Sequence, residues 1–261
     1  RGTLPGGHAV ALRADIDALP IQELNDVVIV FLNFVVSKFG PVAIFMLLTR
    51  TFASYGVEHL KPAVAYVILT VALLLIFLII GYPAFIAIFA HLDPFKFAKK
   101  ITRVAVFGFS TSSSAATLPL NVKTTVEELG VDEKIASFVL PLGMTINMNG
   151  TAIMQVIATL FIAGCAGYSI SFTQLVVIAL LALIASAGTP AAPGSGAIIL
   201  FTILSGLGYV NDAAMLAYSL ILAINRPIEM LVTALNVVGD SATSIYVAKS
   251  EGVLNEDVYN A

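Results

Sequence analysis

The stretch Asn147-Met148-Asn149-Gly150-Thr151 interrupts an apolar segment that covers residues 135–167. A later apolar segment, residues 213–248, is interrupted in the same way by Asn225-Arg226-Pro227 and carries Asp240 further along. Amides and carboxylates without partners cost several kcal/mol each in hydrocarbon. Polar groups at membrane depth therefore usually line an ion or substrate path. The two interrupted segments predict a membrane transporter.

The composition also indicates an integral membrane protein. Of 261 residues, 59% are hydrophobic and 11% are charged, whereas a soluble domain carries about 25% charged residues. The mean hydropathy is +0.97. A formal net charge of -3, without a long basic run, argues against a nucleic-acid partner. We therefore predict an all-α, multi-pass protein of the cell's inner (plasma) membrane, surrounded by the lipid bilayer.

Two other apolar segments contain residues that a continuous helix does not favour. Ser110-Thr111-Ser112-Ser113-Ser114 lies within residues 104–122, and its hydroxyl groups compete for backbone hydrogen bonds. Residues 187–196, within residues 172–208, contain two prolines and three glycines. Each segment is predicted to form two short helices joined at a polar tip. Such a re-entrant hairpin needs protein or a water-filled cavity to cover its irregular backbone.

The order of these elements predicts an internal repeat. Residues 95–167 and residues 172–248 each contain an interrupted hairpin followed by an interrupted helix. Paired broken segments in corresponding positions indicate an inverted repeat. Its binding site is expected near the bilayer midplane, where the two halves meet.

The densest group of basic residues follows a helix break at Asp93-Pro94. Its members are Lys96, Lys99, Lys100 and Arg103. The positive-inside rule places this end of the first hairpin on the cytoplasmic side.

One face of the last apolar segment is largely polar. Its members, spaced 4, 3, 4 and 4 residues apart, are Asn225, Glu229, Val232, Asn236 and Asp240. This spacing aligns side chains along one side of a helix. Two interpretations are open at this point: the lining of a transport site, or a polar seam that only holds helices together.

Four motifs occur in a specific order along the chain. They are Ala116-Thr117-Leu118-Pro119 after the serine-rich tip, Leu140-Pro141-Leu142-Gly143 before the opening stretch, Pro193-Gly194-Ser195-Gly196, and Asn236-Val237-Val238-Gly239-Asp240. Together they resemble the glutamate transporter family, the dicarboxylate/amino acid:cation symporters, over residues 27–251. The resemblance implies two hairpins that meet tip to tip around the substrate, with sodium sites beside them. It also implies an elevator motion of this core against the scaffold of a homotrimer.

The first residues resemble a different family. The run Val10-Ala11-Leu12-Arg13-Ala14-Asp15-Ile16-Asp17-Ala18-Leu19-Pro20-Ile21-Gln22-Glu23 is similar to the N-terminal strand and turn of M20-type metal-dependent amidohydrolases. Such an enzyme needs a set of His, Asp and Glu metal ligands further along, and the later sequence supplies no such set. We interpret residues 1–26 as a foreign or disordered tail, with a working amidohydrolase as the alternative.

The resemblance divides the rest of the chain into three parts. Residues 27–94 are expected to form partial scaffold or connecting transmembrane helices. Residues 95–251 are expected to form the transport core, and residues 252–261 a polar C-terminal tail. Because the family has further helices before this core, most of the scaffold is expected to be missing from this sequence. A fragment or chimera that does not transport alone is therefore a second alternative.

The resemblance assigns substrate contacts to both hairpin tips and to both broken helices. Asn236 would bind the substrate α-carboxylate, together with backbone N–H groups near the tips. Acidic amino acid carriers place an arginine where Val232 stands, so a neutral substrate is expected. Glu229 would hold the substrate ammonium or carry a coupled proton. The expected contacts are Ser113, Ser114, Thr151, Pro193, Gly194, Ser195, Gly196, Glu229, Val232 and Asn236.

The resemblance also assigns cation ligands. Asp240 would bind sodium with the backbone carbonyls of Gly143, Asn147 and Asn236, since hard cations take oxygen ligands. The sulfur of Met148 would lie by a second sodium, near the backbone carbonyls of Thr145 and of the second hairpin tip. Asn149 stands where the family has an aspartate, so a deep sodium site would lose its charge. The expected cofactor is Na+, with H+ coupling as an alternative and no organic cofactor.

These inferences predict a secondary symporter rather than an enzyme. It would couple the entry of Na+, H+ or both to the uptake of a small amino acid or related carboxylate, neutral rather than acidic. A channel is the competing membrane function. Saturable, gradient-driven accumulation would separate the two.

Overall fold

The structure, a computed structural model, describes residues 60–261 and four isolated helical positions before them, Val42, Phe45, Met46 and Thr49. The predicted tail, residues 1–26, lies outside the described residues, as do most of residues 27–59. Within residues 60–261 all regular secondary structure is helical. The all-α prediction is therefore confirmed.

The helices follow one another with short connections. In chain order they are α1 (Leu60–Ile76), a π-helical turn (Phe77–Gly81), α2 (Tyr82–Phe85), a second π-helical turn (Ile86–Ala90), α3 (Pro94–Thr111), α4 (Ser114–Glu127), α5 (Glu133–Ile146), α6 (Asn149–Cys165), α7 (Phe172–Ala187), α8 (Ser195–Leu207), α9 (Asp212–Ile224), α10 (Arg226–Ser250) and α11 (Glu256–Asn260).

Polar side chains begin several of these helices where the sequence changes from loop to apolar segment. Ser113 accepts the backbone N–H of Ala116 at the start of α4. Asp132 caps α5 and Asn211 caps α9. Ser171 forms a reciprocal capping box with Gln174 at the start of α7. Each cap satisfies backbone donors that the first helical turn leaves free.

The helix breaks lie inside the stretches that the sequence indicated. Helices α3 and α4 separate at Ser112-Ser113, and α5 and α6 separate at Asn147-Met148. Residues 188–194 separate α7 from α8, and Asn225 separates α9 from α10. The described chain thus contains two helical hairpins and two broken helices. That the hairpins re-enter the membrane stays a prediction.

Three helical stretches of residues 60–261 are long and apolar enough to cross a membrane, judged by length and composition. They are Ala63–Ala90, Glu133–Cys165 and Arg226–Ser250. In the most apolar windows, 22% of the first stretch but 78% of the third is buried inside the molecule. Helix α10 is therefore the centre of the described fold, while the first stretch faces its surroundings.

Small residues allow α10 to approach its neighbours closely. A Cβ atom on Gly108 of α3 would lie 2.9 Å from a methyl carbon of Val237 and 3.6 Å from the Cα of Ala234. Small residues at helix interfaces permit such close packing in membranes, where apolar burial alone does not drive association.

A buried polar cluster joins α4 to α10. Asn121 donates to the backbone carbonyl of Val237 at 3.0 Å. Ser241 donates to the side-chain oxygen of Asn121 at 2.5 Å, and the hydroxyls of Thr125 and Ser241 lie 3.1 Å apart. Sequence reasoning did not identify this cluster. It is a polar seam that holds helices together, and it lies on the side of α10 that faces the first hairpin.

Lys100 attaches the C-terminal segment to the base of the first hairpin. Its ammonium group donates to the carbonyls of Glu128, Val258 and Tyr259 at 2.8–2.9 Å. One cation thus satisfies carbonyls at the C-terminal ends of α4 and α11. Such positions favour positive charge because the helix dipoles end there.

Residues 252–261, predicted as a polar tail, therefore pack against the rest of the described chain. The backbone N–H of Asn255 donates to the carbonyl of Gly130 at 2.8 Å. The buried Tyr259 hydroxyl donates to the carbonyl of Asp93 at 2.8 Å. Burial, with a contribution from the Asp93 charge, raises the pKa of the Tyr259 hydroxyl above its usual range. The residue therefore stays neutral as a hydrogen-bond donor.

Replacing Lys100 with methionine tests this attachment. Lys100→Met keeps a long apolar side chain but leaves three carbonyls without their donor. A lost partner of this kind costs roughly 1–3 kcal/mol. We expect faster amide hydrogen exchange over residues 253–260 than in the unsubstituted chain. Lys123→Met is the matched control, because Lys123 is exposed and lies 3.9 Å from Glu127. Unchanged exchange in Lys100→Met would contradict the attachment.

Candidate functional site

A small cavity lies where the two hairpin tips meet both broken helices. Its volume is about 30 Å³, which is room for about two water molecules. Ser112 and Ser114 line it from the first tip, and residues 189–192 and 194–196 line it from the second. The Ser113 hydroxyl donates to the carbonyl of Ala191 at 3.0 Å and joins the two tips. The tips must separate before a molecule as large as an amino acid can enter.

The two broken helices supply the remaining walls. The lining residues from α6 and the break before it are Met148, Thr151 and Met154, and those from α10 are Glu229, Val232, Thr233 and Asn236. No lysine or arginine of the described chain lines this cavity.

Eight of the ten predicted substrate contacts line the cavity. They are Ser114, Thr151, Gly194, Ser195, Gly196, Glu229, Val232 and Asn236. Ser113 and Pro193 do not line it. Ser113 points across to the second tip, and the turn around Pro193 brings its neighbours Ala192 and Gly194 to the surface of the cavity instead.

Ser112 is a cavity residue that sequence reasoning missed. It has φ of 50° in the left-handed region, and its side chain is buried. Its hydroxyl has no hydrogen-bond partner among the described residues. Within a run of five hydroxyl residues, composition does not indicate which one ends α3. The backbone conformation at the tip decides which hydroxyl faces the cavity.

Asn236 connects the two broken helices. Its side-chain oxygen accepts the backbone N–H of Gly150 at 2.8 Å. Its amide nitrogen donates to the hydroxyl of Thr151 at 3.1 Å and to the sulfur of Met148 at 3.2 Å. Met148 precedes α6 and provides no cap of its own. Asn236 therefore caps α6 from another helix, and both of its amide hydrogens already have acceptors.

Glu229 is a buried carboxylate at the edge of this cavity. Its side chain is 11% exposed, and its Oε1 atom has no hydrogen-bond partner among the described residues. Its Oε2 atom lies 3.9 Å from a guanidinium nitrogen of Arg226, whose side chain is 40% exposed. Arg226 contacts Glu229 from outside the cavity. The free oxygen leaves Glu229 able to accept a hydrogen bond from a ligand.

Asp240 lies in the setting that a cation site needs. It is 2% exposed, and its Oδ1 atom accepts the side-chain N–H of Asn147 at 2.8 Å. No lysine or arginine pairs with it in the described part of the chain. A Cβ atom on Gly143 would lie 2.6 Å from the same oxygen, so a side chain at this position would overlap the carboxylate. These residues fit a hard cation, because a buried carboxylate needs a counter-charge.

A chain of amides continues from Asp240 to the first helical stretch. The Asn147 side-chain oxygen accepts from Asn149 at 2.8 Å, and Asn149 also donates to the hydroxyl of Tyr82 at 3.2 Å. The Asn147 amide nitrogen lies 3.5 Å from the carbonyl of Asn236. The predicted ligands Asn147 and Asn236 are thus close to Asp240, whereas Asn149 bonds to neutral partners.

A second asparagine–tyrosine pair lies at the other break. Tyr66 donates to the side-chain oxygen of Asn225 at 2.7 Å, and Asn225 donates to the sulfur of Met154 at 3.1 Å. Both pairs are uncharged. They fix helix breaks to the first helical stretch without a cation.

The side chain of Thr145 makes no contact with the cavity between the tips. Its side chain is exposed, and its hydroxyl donates to the carbonyl of Leu142 in its own helix at 2.7 Å. Met148, its predicted companion, lies inside the cavity with its sulfur already accepting from Asn236. These contacts concern the side chain, so a second cation beside the Thr145 carbonyl stays a prediction.

Comparison with known proteins identifies the family of this chain. The model of the sodium:dicarboxylate symporter family matches residues 18–250. The chain belongs to this family. The match confirms the resemblance to the glutamate transporter family, which is a family of sodium-coupled transporters and not of enzymes. It begins at residue 18, within the segment interpreted as a foreign tail.

Curated relatives agree with the family. The "Proton/sodium-glutamate symport protein" of Bacillus caldotenax is 31% identical over 223 residues, which are 85% of this chain and 51% of that protein. An "Excitatory amino acid transporter" of Caenorhabditis elegans is 32% identical over 221 residues, 84% of this chain and 43% of that protein. The human "Excitatory amino acid transporter 1" is 34% identical over 176 residues, which are 67% of this chain and 32% of that protein. The chain spans about a third to a half of these relatives' length.

Filling the space beside Asp240 tests the cation site. Gly143→Ala would place a methyl group against the Asp240 carboxylate. We expect Na+ to stabilise this variant against thermal unfolding with an apparent affinity at least about tenfold weaker than in the unsubstituted chain, which corresponds to roughly 1.4 kcal/mol. Choline chloride is the reference salt.

The matched control for this substitution is Gly164→Ala. A Cβ atom at Gly164 meets nothing within 4 Å. It should leave the Na+ response unchanged and improve helix stability slightly. An equal Na+ response in Gly143→Ala and the unsubstituted chain would contradict a cation site at Asp240.

Proposed function

We propose that this chain carries the transport core of a secondary symporter that couples cation entry to uptake of a small neutral amino acid. The observation that carries this proposal is the pairing of Glu229 with Val232 in a cavity that no lysine or arginine of the described chain lines. The family membership supports sodium symport as the general function. The choice of substrate rests on the cavity.

The charges of the cavity favour an ammonium group and disfavour a second carboxylate. Glu229 supplies a buried negative charge with a free oxygen. An acidic substrate side chain would add another negative charge beside Val232, which has no donor for it. Buried charges without partners are costly. The names of the relatives refer to glutamate and excitatory amino acids, so this chain would differ from them in specificity.

The α-carboxylate of the substrate has a better partner than Asn236. Both amide hydrogens of Asn236 are used within the protein. Ser114 begins α4, Ser195 begins α8, and both line the cavity. Helix N-termini bind anions through free backbone N–H groups and the helix dipole. We therefore assign the carboxylate to the two hairpin tips, with Asn236 holding the wall behind it.

The cation would be held by Asp240, with Asn147 and the carbonyls of Gly143 and Asn236 as its neighbours. When bound, it supplies the positive charge that offsets the buried carboxylate. The Asn147 amide now donates to Asp240, so this amide would have to move or turn as a cation arrives. The C-terminal end of α5 also lies at this break, and helix C-termini favour cations.

Proton coupling through Glu229 is the second form of this proposal. The buried, unpartnered Oε1 atom supports it, because a proton bound there would remove a charge that burial disfavours. An elevator motion and a homotrimeric assembly are further parts of the proposal, and both rest on the family. The contact between Ser113 and Ala191 is the one that substrate entry would break.

Substrate selection tests the role of Val232. Proteoliposomes containing the chain should accumulate serine or alanine saturably under a Na+ or H+ gradient, with little uptake of aspartate or succinate. Val232→Arg would add a partner for an acidic side chain and should shift the aspartate-to-alanine ratio by about 10- to 100-fold, because a hydrogen-bonded charge pair contributes roughly 1.5–3 kcal/mol.

The control for this variant is Val253→Arg, which adds the same charge at an exposed position outside the cavity. Its aspartate-to-alanine ratio should stay that of the unsubstituted chain. Robust aspartate uptake by the unsubstituted chain would contradict neutral specificity. Flux that is not saturable and follows the gradient without accumulation would favour a channel.

Removing the Glu229 charge tests its contact with the ammonium group. Glu229→Gln preserves shape but weakens attraction to a cationic group. We expect alanine binding to weaken at least about tenfold, since charged hydrogen bonds contribute roughly 1.5–3 kcal/mol. Alanine-dependent thermal stabilisation of the purified chain is the measurement. Glu251→Gln, at an exposed position after α10, is the matched control.

The same variant separates the two forms of the proposal. If Glu229 carries the coupled proton, Glu229→Gln should make residual uptake independent of the proton gradient. If it only holds the ammonium group, that dependence should be unchanged. Alanine binding equal to that of the unsubstituted chain, together with an unchanged dependence on the proton gradient, would remove Glu229 from both roles.

A further inference from the structure

An apolar groove lies on the outer side of the first hairpin. Its volume is about 290 Å³, and it shares no lining residue with the cavity between the tips. Helix α3 forms one wall, and Leu78, Ile79 and Pro83 form the other. Val238 of α10 contributes to the floor. Ligand pockets span roughly 300–1,000 Å³, so the groove is close to the size of a small binding site.

The sequence explains why this space is left open. On α3 the groove is lined by the small side chains Ala98, Thr102 and Ala105. The facing wall belongs to the π-helical turn Phe77–Gly81 and to Pro83, where the helix departs from regular α-helical geometry. Larger side chains of both walls, among them Phe97 and Leu78, also line the groove, but they leave the space between the walls open. Folded proteins leave few voids larger than a water molecule, so the groove calls for an occupant.

The lining selects hydrocarbon over water. Phe97 and Ile101 form a buried apolar floor, 1% and 4% exposed. Ile79 and Val106 form an open apolar rim, 65% and 58% exposed. Apolar cavities of roughly 150 Å³ stay dry and take up hydrocarbon. In a membrane protein the available hydrocarbon is the acyl chain of a lipid.

Two basic side chains lie beside this groove. Lys99 is three residues before Thr102, and Arg103 is three residues before Val106, so each is a neighbour of a groove residue on the helix surface. Both are exposed, and neither forms an ion pair within residues 60–261. Lys96 and Lys100, by contrast, are bonded to the C-terminal segment. Lys99 and Arg103 therefore place two positive charges on α3 next to residues that line the groove.

We propose that the groove binds one acyl chain of an anionic phospholipid, whose phosphate is held by Lys99 and Arg103. Guanidinium and ammonium groups bind phosphate oxygens through charge-assisted hydrogen bonds. Basic pockets between helices on the cytoplasmic side recognise anionic head groups in this way. A lipid in this place would contact both walls and connect the first hairpin to the first helical stretch. This inference does not depend on the substrate that the cavity binds.

Single-tryptophan fluorescence provides the test, because the chain contains no tryptophan. Val106→Trp places one fluorophore on the rim of the groove. In bilayers containing lipids with brominated chains, phosphatidylglycerol should quench it with an apparent affinity about fivefold or more above that of phosphatidylcholine, since each basic residue near the surface contributes roughly 1 kcal/mol. Ile184→Trp on α7, at a position 73% exposed, is the control and should show no preference.

A second variant separates the head group from the acyl chain. Lys99→Gln and Arg103→Gln, introduced together into Val106→Trp, should preserve quenching and reduce the preference for phosphatidylglycerol to that of the control. Three results would overturn the proposal: an absence of preference at position 106, a preference that survives removal of both charges, or a fluorophore that no brominated lipid quenches. The last result would show that protein covers the groove.

Discussion

The hydrogen bond from the backbone N–H of Gly150 to the side chain of Asn236 holds the two broken helices together. A helix that stops at membrane depth leaves backbone donors that no water satisfies. Met148 cannot cap α6, so the donor of Gly150 depends on an acceptor from α10. Gly150 itself has no room for a side chain, because an added Cβ would lie 2.9 Å from the carbonyl of Val232. The position of α10 thereby fixes both the cavity wall and the break beside Asp240.

This constraint separates two functions along one helix. Glu229 and Asp240 are eleven residues apart on α10, which is about 16 Å at 1.5 Å per residue. Because of that distance, each of the two carboxylates can serve a different ligand. Asn236 lies between them and contacts residues of both regions, Thr151 on the cavity side and Asn147 on the Asp240 side. The side-chain amide of Asn236 therefore borders the proposed substrate site, and its backbone carbonyl borders the proposed cation site.

The fold could be predicted from the sequence wherever polar residues interrupt apolar segments. The two hairpins and the two broken helices follow from Pro, Gly, Asn and hydroxyl clusters, because these residues cannot continue an apolar helix without cost. Finer placement was not accessible. Ser112 rather than Ser113 faces the cavity because of a left-handed backbone at the tip. Such choices depend on rotamers and on neighbouring elements, which residue spacing does not encode.

The C-terminal segment shows a different limit of sequence reasoning. Its composition is polar, yet its backbone carbonyls accept hydrogen bonds from Lys100, which also donates to the carbonyl of Glu128. Polar composition alone does not reveal these contacts. The basic residues of α3 consequently divide into two groups with different partners. Lys96 and Lys100 satisfy backbone carbonyls, whereas Lys99 and Arg103 remain on the surface beside an apolar groove. A rule that counts positive charges treats all four alike. Their hydrogen bonds distinguish charges that hold the protein together from charges available to a partner.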